Sequence, residues 1–430
     1  MTSRTAWRQT LLVVVCLLAL VLPAGAETAD STDIRVPEPP EKSVGEVLLS
    51  LPSMLVTIPV YILKTITKVA VLVATQDTFV TDLVEFLSRD RGPIKPVASY
   101  SGNDGLAGGL SLRKWHTFTP GDRIRLKGLY SIYDYSMFDL KYTALGLADS
   151  TLGLTVTAVY QRMPRETFYG LGHESRQQDE VAFTQEATEF QASLRARIHR
   201  TLSFEGYGGY HDINIFDGQD DDRVGDLQVI RDRFGLSRAD TRSVEYVTVG
   251  GRLIIDTRNS AGQPSNGGRH SIDFSYNTGV GDDDDIEYIR TRVEFSQYVN
   301  IYRKRIFAVR AMVQDIDRSS DVSPNPFYLQ SSLGGPETLR GYDNNRFVDR
   351  DMALVTLEYR YPIWDVIDAF IFLDEGRVFN SLSDDFTFRD WHYSAGFGLR
   401  VWNPDEVIVS AQLANSAEGW RFLFRAGQEF

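Results

Sequence analysis

The chain has 430 residues, 12% of them aromatic, and carries 45 basic against 58 acidic side chains, for a net charge of −13. That balance lacks the basic surface a nucleic-acid binder needs, so no nucleic-acid partner is expected. Cys16 is the only cysteine, which rules out a disulfide framework within the chain.

Taken from the N-terminus, Arg4 and Arg8 are followed by the apolar run "LLVVVCLLALVL", then Pro23 and "AGA". A basic end, a short apolar core and a small-residue cleavage site read as a secretory signal peptide over residues 1–26. The alternative, a membrane anchor, needs an apolar run of roughly 20 residues, and this one is shorter. Val15 precedes Cys16 where a lipoprotein signal would carry a small residue, so the exported chain is expected to be free of cysteine and lipid. The stretch "ETADSTDIRVPEPPEKS", Glu27 to Ser43, is polar and proline-rich and is expected to be an extended leader. From Val44 to about Leu87 apolar residues fill most turns around Lys64 and Lys68, with breaks at Pro52 and Pro59. This pattern predicts broken helices on the periplasmic side, amphipathic or plugging, within a second unit over residues 27–92.

From Pro93 to Phe430 the pattern changes to weak, repeated alternation with no helix-length apolar run. Segments such as "DRIRLKGLYSIYD", "STLGLTVTAVYQRM", "TEFQASLRARI", "RHSIDFSYNTGV", "EYIRTRVEFSQYV" and "RIFAVRAMVQDI" read as strands, and five more begin near Met352, Ile367, Trp391, Glu406 and Gly419. About fifteen or sixteen strands can be read, and single-chain bacterial barrels use even numbers, so a transmembrane antiparallel β-barrel of sixteen strands is expected. Its soluble competitor is a large periplasmic β-sandwich or propeller. The first strand, "PIKPVASY", contains Pro96, which cannot donate to a sheet ladder. In the last, "GWRFLFRAGQEF", Trp420, Phe422, Phe424, Ala426 and Phe430 share one face with Gln428, while Arg421, Leu423, Arg425 and Glu429 share the other. A barrel joins first strand to last, so Pro96, Val97, Phe424 and Phe430 mark a weak seam.

Between two strand-like stretches lies "SLGGPETLRGYDNNRF", Ser332 to Phe347, in a long loop near residues 318–350. Its glycines and asparagines suit a loop, yet it also holds Leu339, Tyr342 and Phe347. "LGGPETLRGY", followed in order by "NRFVDRDMALVTLEYRYPIW" and "FIFLDEGRVF", resembles the BamA/TamA superfamily of outer-membrane proteins, also called the bacterial surface antigen family; "FYGLGHES", Phe168 to Ser175, adds a further similar segment. The resemblance covers the barrel. It implies that the loop folds into the lumen and that Arg340 pairs with Glu358 and Asp374 on the wall, with Gly341 letting the tip turn close and Tyr342 packing beside it. Parity supports part of this: in "MALVTLEYRYPI" Leu357 and Tyr359 share one face and Glu358 and Arg360 the other, so if the leucine meets lipid the glutamate meets the lumen. The chain departs from the family in offering no strand-rich periplasmic POTRA module over Glu27 to Gly92, so it resembles a POTRA-less member.

Other candidate sites are weaker. No hydrolase, zincin, nucleotide-binding or dinucleotide fingerprint is present, and the six histidines have no metal-ligand spacing. No catalytic residue, metal or cofactor is therefore expected, although a barrel phospholipase that draws a serine and a histidine from distant strands needs no local motif. The acidic runs "DGQDDDR", Asp217 to Arg223, and "GDDDD", Gly281 to Asp285, could hold divalent cations bridging lipopolysaccharide phosphates, or be solvated loops. The expected function is non-enzymatic: insertion or translocation of protein or lipid through or beside the seam, in the outer membrane of a Gram-negative bacterium. The expected partners are outer-membrane lipid and lipopolysaccharide, a client outer-membrane or secreted protein, and a periplasmic partner or second copy. A passive pore or structural barrel is the alternative.

Overall fold

The computed structural model describes residues 94–430 apart from 102–104, 220–222, 284, 303, 319–324, 365–366, 403–406 and 427–430. The signal-peptide, leader and helical readings, together with Gln428 and Phe430, lie outside the described residues.

Sixteen strands close into one antiparallel barrel. In chain order they are β1 (Ile94–Ser101), β2 (Gly105–Trp115), β3 (Asp122–Ser131), β4 (Ser136–Gly146), β5 (Leu152–Phe168), β6 (Val181–Arg197), β7 (Leu202–Asp217), β8 (Val244–Asp256), β9 (Gly267–Gly279), β10 (Glu287–Tyr302) and β11 (Arg305–Arg318). After the long loop come β14 (Asp351–Trp364), β15 (Ile367–Phe379), β16 (His392–Trp402), β17 (Val407–Ser416) and β18 (Gly419–Ala426). Two short strands inside the loop, β12 (Ser331–Leu333) and β13 (Phe347–Asp349), form a separate sheet. Each wall strand pairs with its neighbour in sequence, β11 pairs with β14, and β1 pairs with β18. Closure is what hydrocarbon demands, because an open edge would leave backbone donors and acceptors with no water to bond.

Alternation decides which side chains meet which solvent. Leu106, Leu110 and Leu112 on β2 are more than two-fifths exposed, while Ala107, Ser111 and Arg113, of the opposite parity, are buried. Across the ladder Leu112 faces Leu126, and Leu126 faces Leu140, so one apolar face continues around the wall. Phe190, Phe204, Val249, Phe274 and Phe295 extend it. The opposite parity carries charge into the lumen, for example Arg252 on Asp273 at 2.6 Å and Arg310 on Glu294 at 3.0 Å. Apolar outside and polar inside is the pattern of a membrane barrel.

The barrel's two ends differ. Connections 116–121, 147–151, 198–201, 257–266 and 303–304 lie at the end from which β1 starts, and loops 169–180, 218–243, 319–350 and 380–391 lie at the other. Outer-membrane barrels turn briefly on the periplasmic side and carry their long loops outside, which orients this one. Among the long loops a helix, Leu227–Phe234, begins at Asp226, whose carboxylate accepts from Gln228 N and Val229 N, and stops at Gly235 with φ of 65°. Its buried Ile230 packs with Phe168, Phe183, Phe327 and Val348. That cluster ties the loops after β5, β7 and β11 into one apolar cap.

Candidate functional site: a loop held inside the lumen and the seam beside it

The loop between β11 and β14 reaches the wall because its base is pinned as a hairpin. Ser331 pairs with Asp349 and Leu333 with Phe347, a two-stranded sheet that the turn-rich sequence did not suggest. Gly334 and Gly335 then adopt φ of 122° and 86°, where a Cβ is strained, and reverse the chain. Leu333, Leu339, Tyr342 and Phe347 are buried together against Met312, Met352, Leu354 and Val378 of the wall. This explains why a loop carries so many apolar residues: its interior is a small core.

At the tip the structure brings Arg340, Asp374 and Glu358 together. Arg340 Nε and Nη2 donate to the two oxygens of Asp374 at 2.9 and 2.7 Å, and the Arg340 backbone N–H donates to Oδ2 at 3.2 Å. A bidentate guanidinium–carboxylate pair fixes orientation as well as distance. Nη1 lies 3.4 Å from Glu358 Oε2 and 3.3 Å from Gln412 Oε1. Asp374 is fully buried and accepts two more bonds, from Thr356 Oγ1 and Ser394 Oγ, each at 3.1 Å. Burial works against the charge on Arg340, but the hydrogen bond and charge of Asp374, with Glu358 beyond, hold its pKa above the ordinary arginine value.

Glu358 has a second role. Its Oε1 accepts from Arg360 Nε at 2.7 Å and from Arg400 Nη2 at 2.6 Å, so one carboxylate gathers three guanidiniums. The excess charge is spread over aromatic faces, with Arg340 3.4 Å above the Phe372 ring and Arg400 4.2 Å from Phe370. Those rings lie flat because β16 offers glycine beneath them: a Cβ on Gly396 or Gly398 would come within 2.5 Å of Phe372 Cζ or Phe370 Cζ. Gly, ring and guanidinium therefore stack in layers from wall to lumen.

Gly341 is needed for close approach. A Cβ there would sit 2.7 Å from Ser394 Cβ and 2.8 Å from Ser416 Cβ. Without one, the Gly341 carbonyl accepts from Ser416 Oγ at 2.8 Å. Tyr342 is buried and meets Phe347 and His392 edge-on, and His392 stacks on Phe347 at 3.7 Å.

A second anchor escaped the sequence reading. Arg346, nearly fully buried, donates Nε to Glu418 at 2.6 Å, Nη1 to Ser175 Oγ at 2.9 Å and Nη2 to the Ser175 carbonyl at 2.8 Å, between the rings of Tyr169 and Phe347. Burial pushes the Glu418 carboxyl up, against the pull of Arg346. Nearby, Asn345 donates to Glu166 at 2.9 Å, Gly172 N to the Val348 carbonyl at 2.8 Å, and Asp343 pairs with Arg421 on β18. "FYGLGHES" is thus the far tether of the loop. Its resemblance to the family was the one available signal, and it named no partner.

The seam residues divide. Among the described residues β1 and β18 are in register at Ala98 with Ala426, Ser99 with Arg425 and Tyr100 with Phe424, and the positions after Ala426 lie outside the described residues. Tyr100 and Phe424 stand opposite one another on the lipid face, and Tyr100 also touches the Phe422 ring at 6.2 Å between centroids. Val97 has the other parity and is buried with Ala107 and Leu129 on the lumen side. Pro96 faces Leu110 of β2 and can donate to neither neighbour.

The remaining candidates are occupied structurally. In the acidic run at 281–285, Asp283 and Asp285 pair with Arg242, and Asp283 also accepts from Glu245 N at 2.8 Å. Asp217 accepts from Leu227 N at the start of the helix. His211 stacks on Tyr246, His270 on Phe295, and His392 Nε2 donates to the His173 carbonyl at 2.8 Å.

Residues 118–430 match the Omp85 superfamily domain. No curated protein matches the chain. Among solved structures, BamA from Haemophilus ducreyi lacking POTRA domains 1–3 superposes with a TM-score of 0.56 at 15% identity, over 78% of this chain and 70% of that one. CdiB from Escherichia coli gives 0.51 at 14% identity over 79% of this chain and 63% of its own, so the chain spans less than two-thirds of that relative. These similarities are of fold, and they agree with the sixteen-stranded wall and the BamA/TamA-like motifs around Arg340. A wall apolar outside and charged inside, a loop bonded within it and a domain match over well above half its length make the chain a member of the Omp85 superfamily of outer-membrane β-barrels.

Proposed function

We propose that this protein inserts or translocates a substrate polypeptide through or beside the β1–β18 seam, while the loop bearing Arg340 acts as a latch that holds the remaining wall in shape. The observation that carries this reading is Pro96 in the closing strand β1, which has no N–H to give to a ladder. Backbone groups left unpaired in hydrocarbon are costly, and an incoming strand that pairs with them lowers that cost. Glu358 and Asp374 serve as the latch's receivers, and the step needs no catalytic residue. A periplasmic partner or second copy would supply client delivery.

The passive pore is the weaker reading. The loop crosses the lumen between anchors at Asp374 on β15 and Ser175 beyond β5, and an apolar cap packs over its base. A freely conducting channel gains nothing from that many bonds inside its bore.

The test uses the register itself. Tyr100→Cys with Phe424→Cys places two thiols directly opposite across the seam. In proteoliposomes the unmodified protein should accelerate folding of a urea-denatured outer-membrane barrel. Oxidation of the double-cysteine variant should abolish the acceleration, and reduction should restore it. Equal acceleration with the seam covalently closed would exclude the seam as the route, and no acceleration in any state would remove the insertion reading.

A further inference from the structure

Across the lumen from the seam, β10 carries Arg290 and Arg292 on one face, and among the described residues neither is in a salt bridge with a carboxylate. Their neighbours have carboxylate partners: Arg252 is held by Asp273 at 2.6 Å and Arg310 by Glu294 at 3.0 Å. Arg290 instead donates Nη2 to the Leu329 carbonyl at 3.0 Å, and its Nε is buried without an acceptor. The one hydrogen bond Arg292 makes among the described residues runs from Nε to the sulfur of Met312 at 3.2 Å. Two adjacent guanidiniums with no carboxylate bonded to them among the described residues, Glu294 two positions on being paired with Arg310, are a costly arrangement in a partly desolvated bore, and an oxyanion would relieve it.

Both arginines line a lumenal cavity of about 640 Å³ and a smaller adjoining one of about 190 Å³. The larger falls within the range of small-molecule sites, roughly 300–1,000 Å³. It is amphipathic. Away from the arginines its lining carries Leu129, Met137 and Met163 from β3, β4 and β5, with the carboxylates Glu166, Glu189 and Glu337 also on its border, and methionine side chains adapt readily to a flexible chain. Its far side is bordered by Ser99 and Tyr100 of β1 and by Leu423 and Phe424 of β18, the two sides of the seam. The bore therefore offers a pair of guanidiniums, an apolar stretch and an edge at the β1–β18 seam.

We infer that this cavity binds a phosphate-bearing amphiphile, a membrane lipid whose phosphate is held by Arg290 and Arg292 and whose chains lie along Leu129, Met137 and Met163 toward the seam. Guanidinium forks match phosphate oxygens bidentately, which favours phosphate over a diffuse negative surface. The inference does not depend on the seam handling polypeptides, because lipid occupancy needs no client.

Native mass spectrometry of the full-length protein in neutral detergent tests it with three probes: phosphatidylglycerol, diacylglycerol with the same chains, and inorganic phosphate. The expected result is a retained phosphatidylglycerol adduct, little diacylglycerol adduct, and at least a tenfold loss of phosphatidylglycerol binding in the Arg290→Gln/Arg292→Gln double variant. Retained heat-modifiable migration of that variant on electrophoresis establishes that its barrel is folded; a single Arg292→Gln, which leaves the Leu329 contact in place, serves if the double variant is not. Equal binding of phosphatidylglycerol and diacylglycerol, or binding unchanged in the variant, would overturn the site. Inorganic phosphate binding as tightly as the lipid would overturn the amphiphile in favour of free phosphate.

Discussion

On β14 to β16 the lumenal wall carries Glu358, Asp374, Phe370 and Phe372 over the glycines of β16, and the loop is bonded to it by a bidentate buried pair. At the β1 end the equivalent face offers Val97, Ala107 and Leu129, a small apolar cluster beside the ladder to β18. Both regions belong to one closed sheet, yet they resist opening by different means. The first is held by interactions whose removal strands buried charge, so it fails abruptly. The second has a modest apolar cluster around a strand that contains Pro96, so its loss is expected to come in small steps. Such an uneven distribution of stability is what the proposed opening of one element beside a fixed one requires.

The sharpest way to break the comparison is Asp374→Ala. It leaves Arg340 buried without its main partner, and truncating one member of a buried pair typically costs about 3–5 kcal/mol. The unfolding midpoint in urea should fall markedly, and trypsin should gain access after Arg340. Next is Gly341→Val, which drives a side chain into Ser394 and Ser416; overpacking of this kind costs about 1–3 kcal/mol, and the loop should become cleavable while the wall keeps its heat-modifiable migration. Smaller again is Phe372→Leu, which keeps the carboxylates but removes the ring under Arg340 and should cost about 0.5–2 kcal/mol by the same urea titration. The smallest effect is expected for Glu337→Gln on the seam side of the loop. Glu337 is largely exposed and sits 3.6 Å from Arg425, a pair worth under about 1 kcal/mol that should weaken further in high salt. If that variant proved as damaging as Asp374→Ala, the division between a locked side and a yielding side would be wrong.

The strand count and the lumen–lipid division were legible because alternation is a local signal, repeated in every strand from "DRIRLKGLYS" to "GWRFLFRA". Glu358 could be placed on the lumen side by parity with Leu357 alone. The pairing of Arg340 with Asp374 required the family resemblance, since no local rule links residues 34 apart. Nothing in sequence pointed to Arg346 meeting Ser175, 171 positions away, or to Gly396 and Gly398 as seats for aromatic rings of the neighbouring strand. Such contacts depend on how the wall curves, and a linear pattern does not encode curvature. The same limit applied at the seam, where Val97 and Phe424 belong together in sequence logic but face opposite sides of the wall.

The loop's partners span nearly the whole barrel: Glu166 and Ser175 precede it, while Asp374, Gln412, Ser416 and Arg421 follow it. A segment enclosed by the wall and bonded to strands made both before and after it constrains the order of construction. It cannot be fully seated until β18 exists, because Arg421 is among its partners, and the cap over it includes its own Phe327 and Val348. The wall is therefore expected to settle around the loop as around a mandrel. Joining residue 98 to residue 426 then comes last, the ladder of greatest sequence separation and greatest closure entropy.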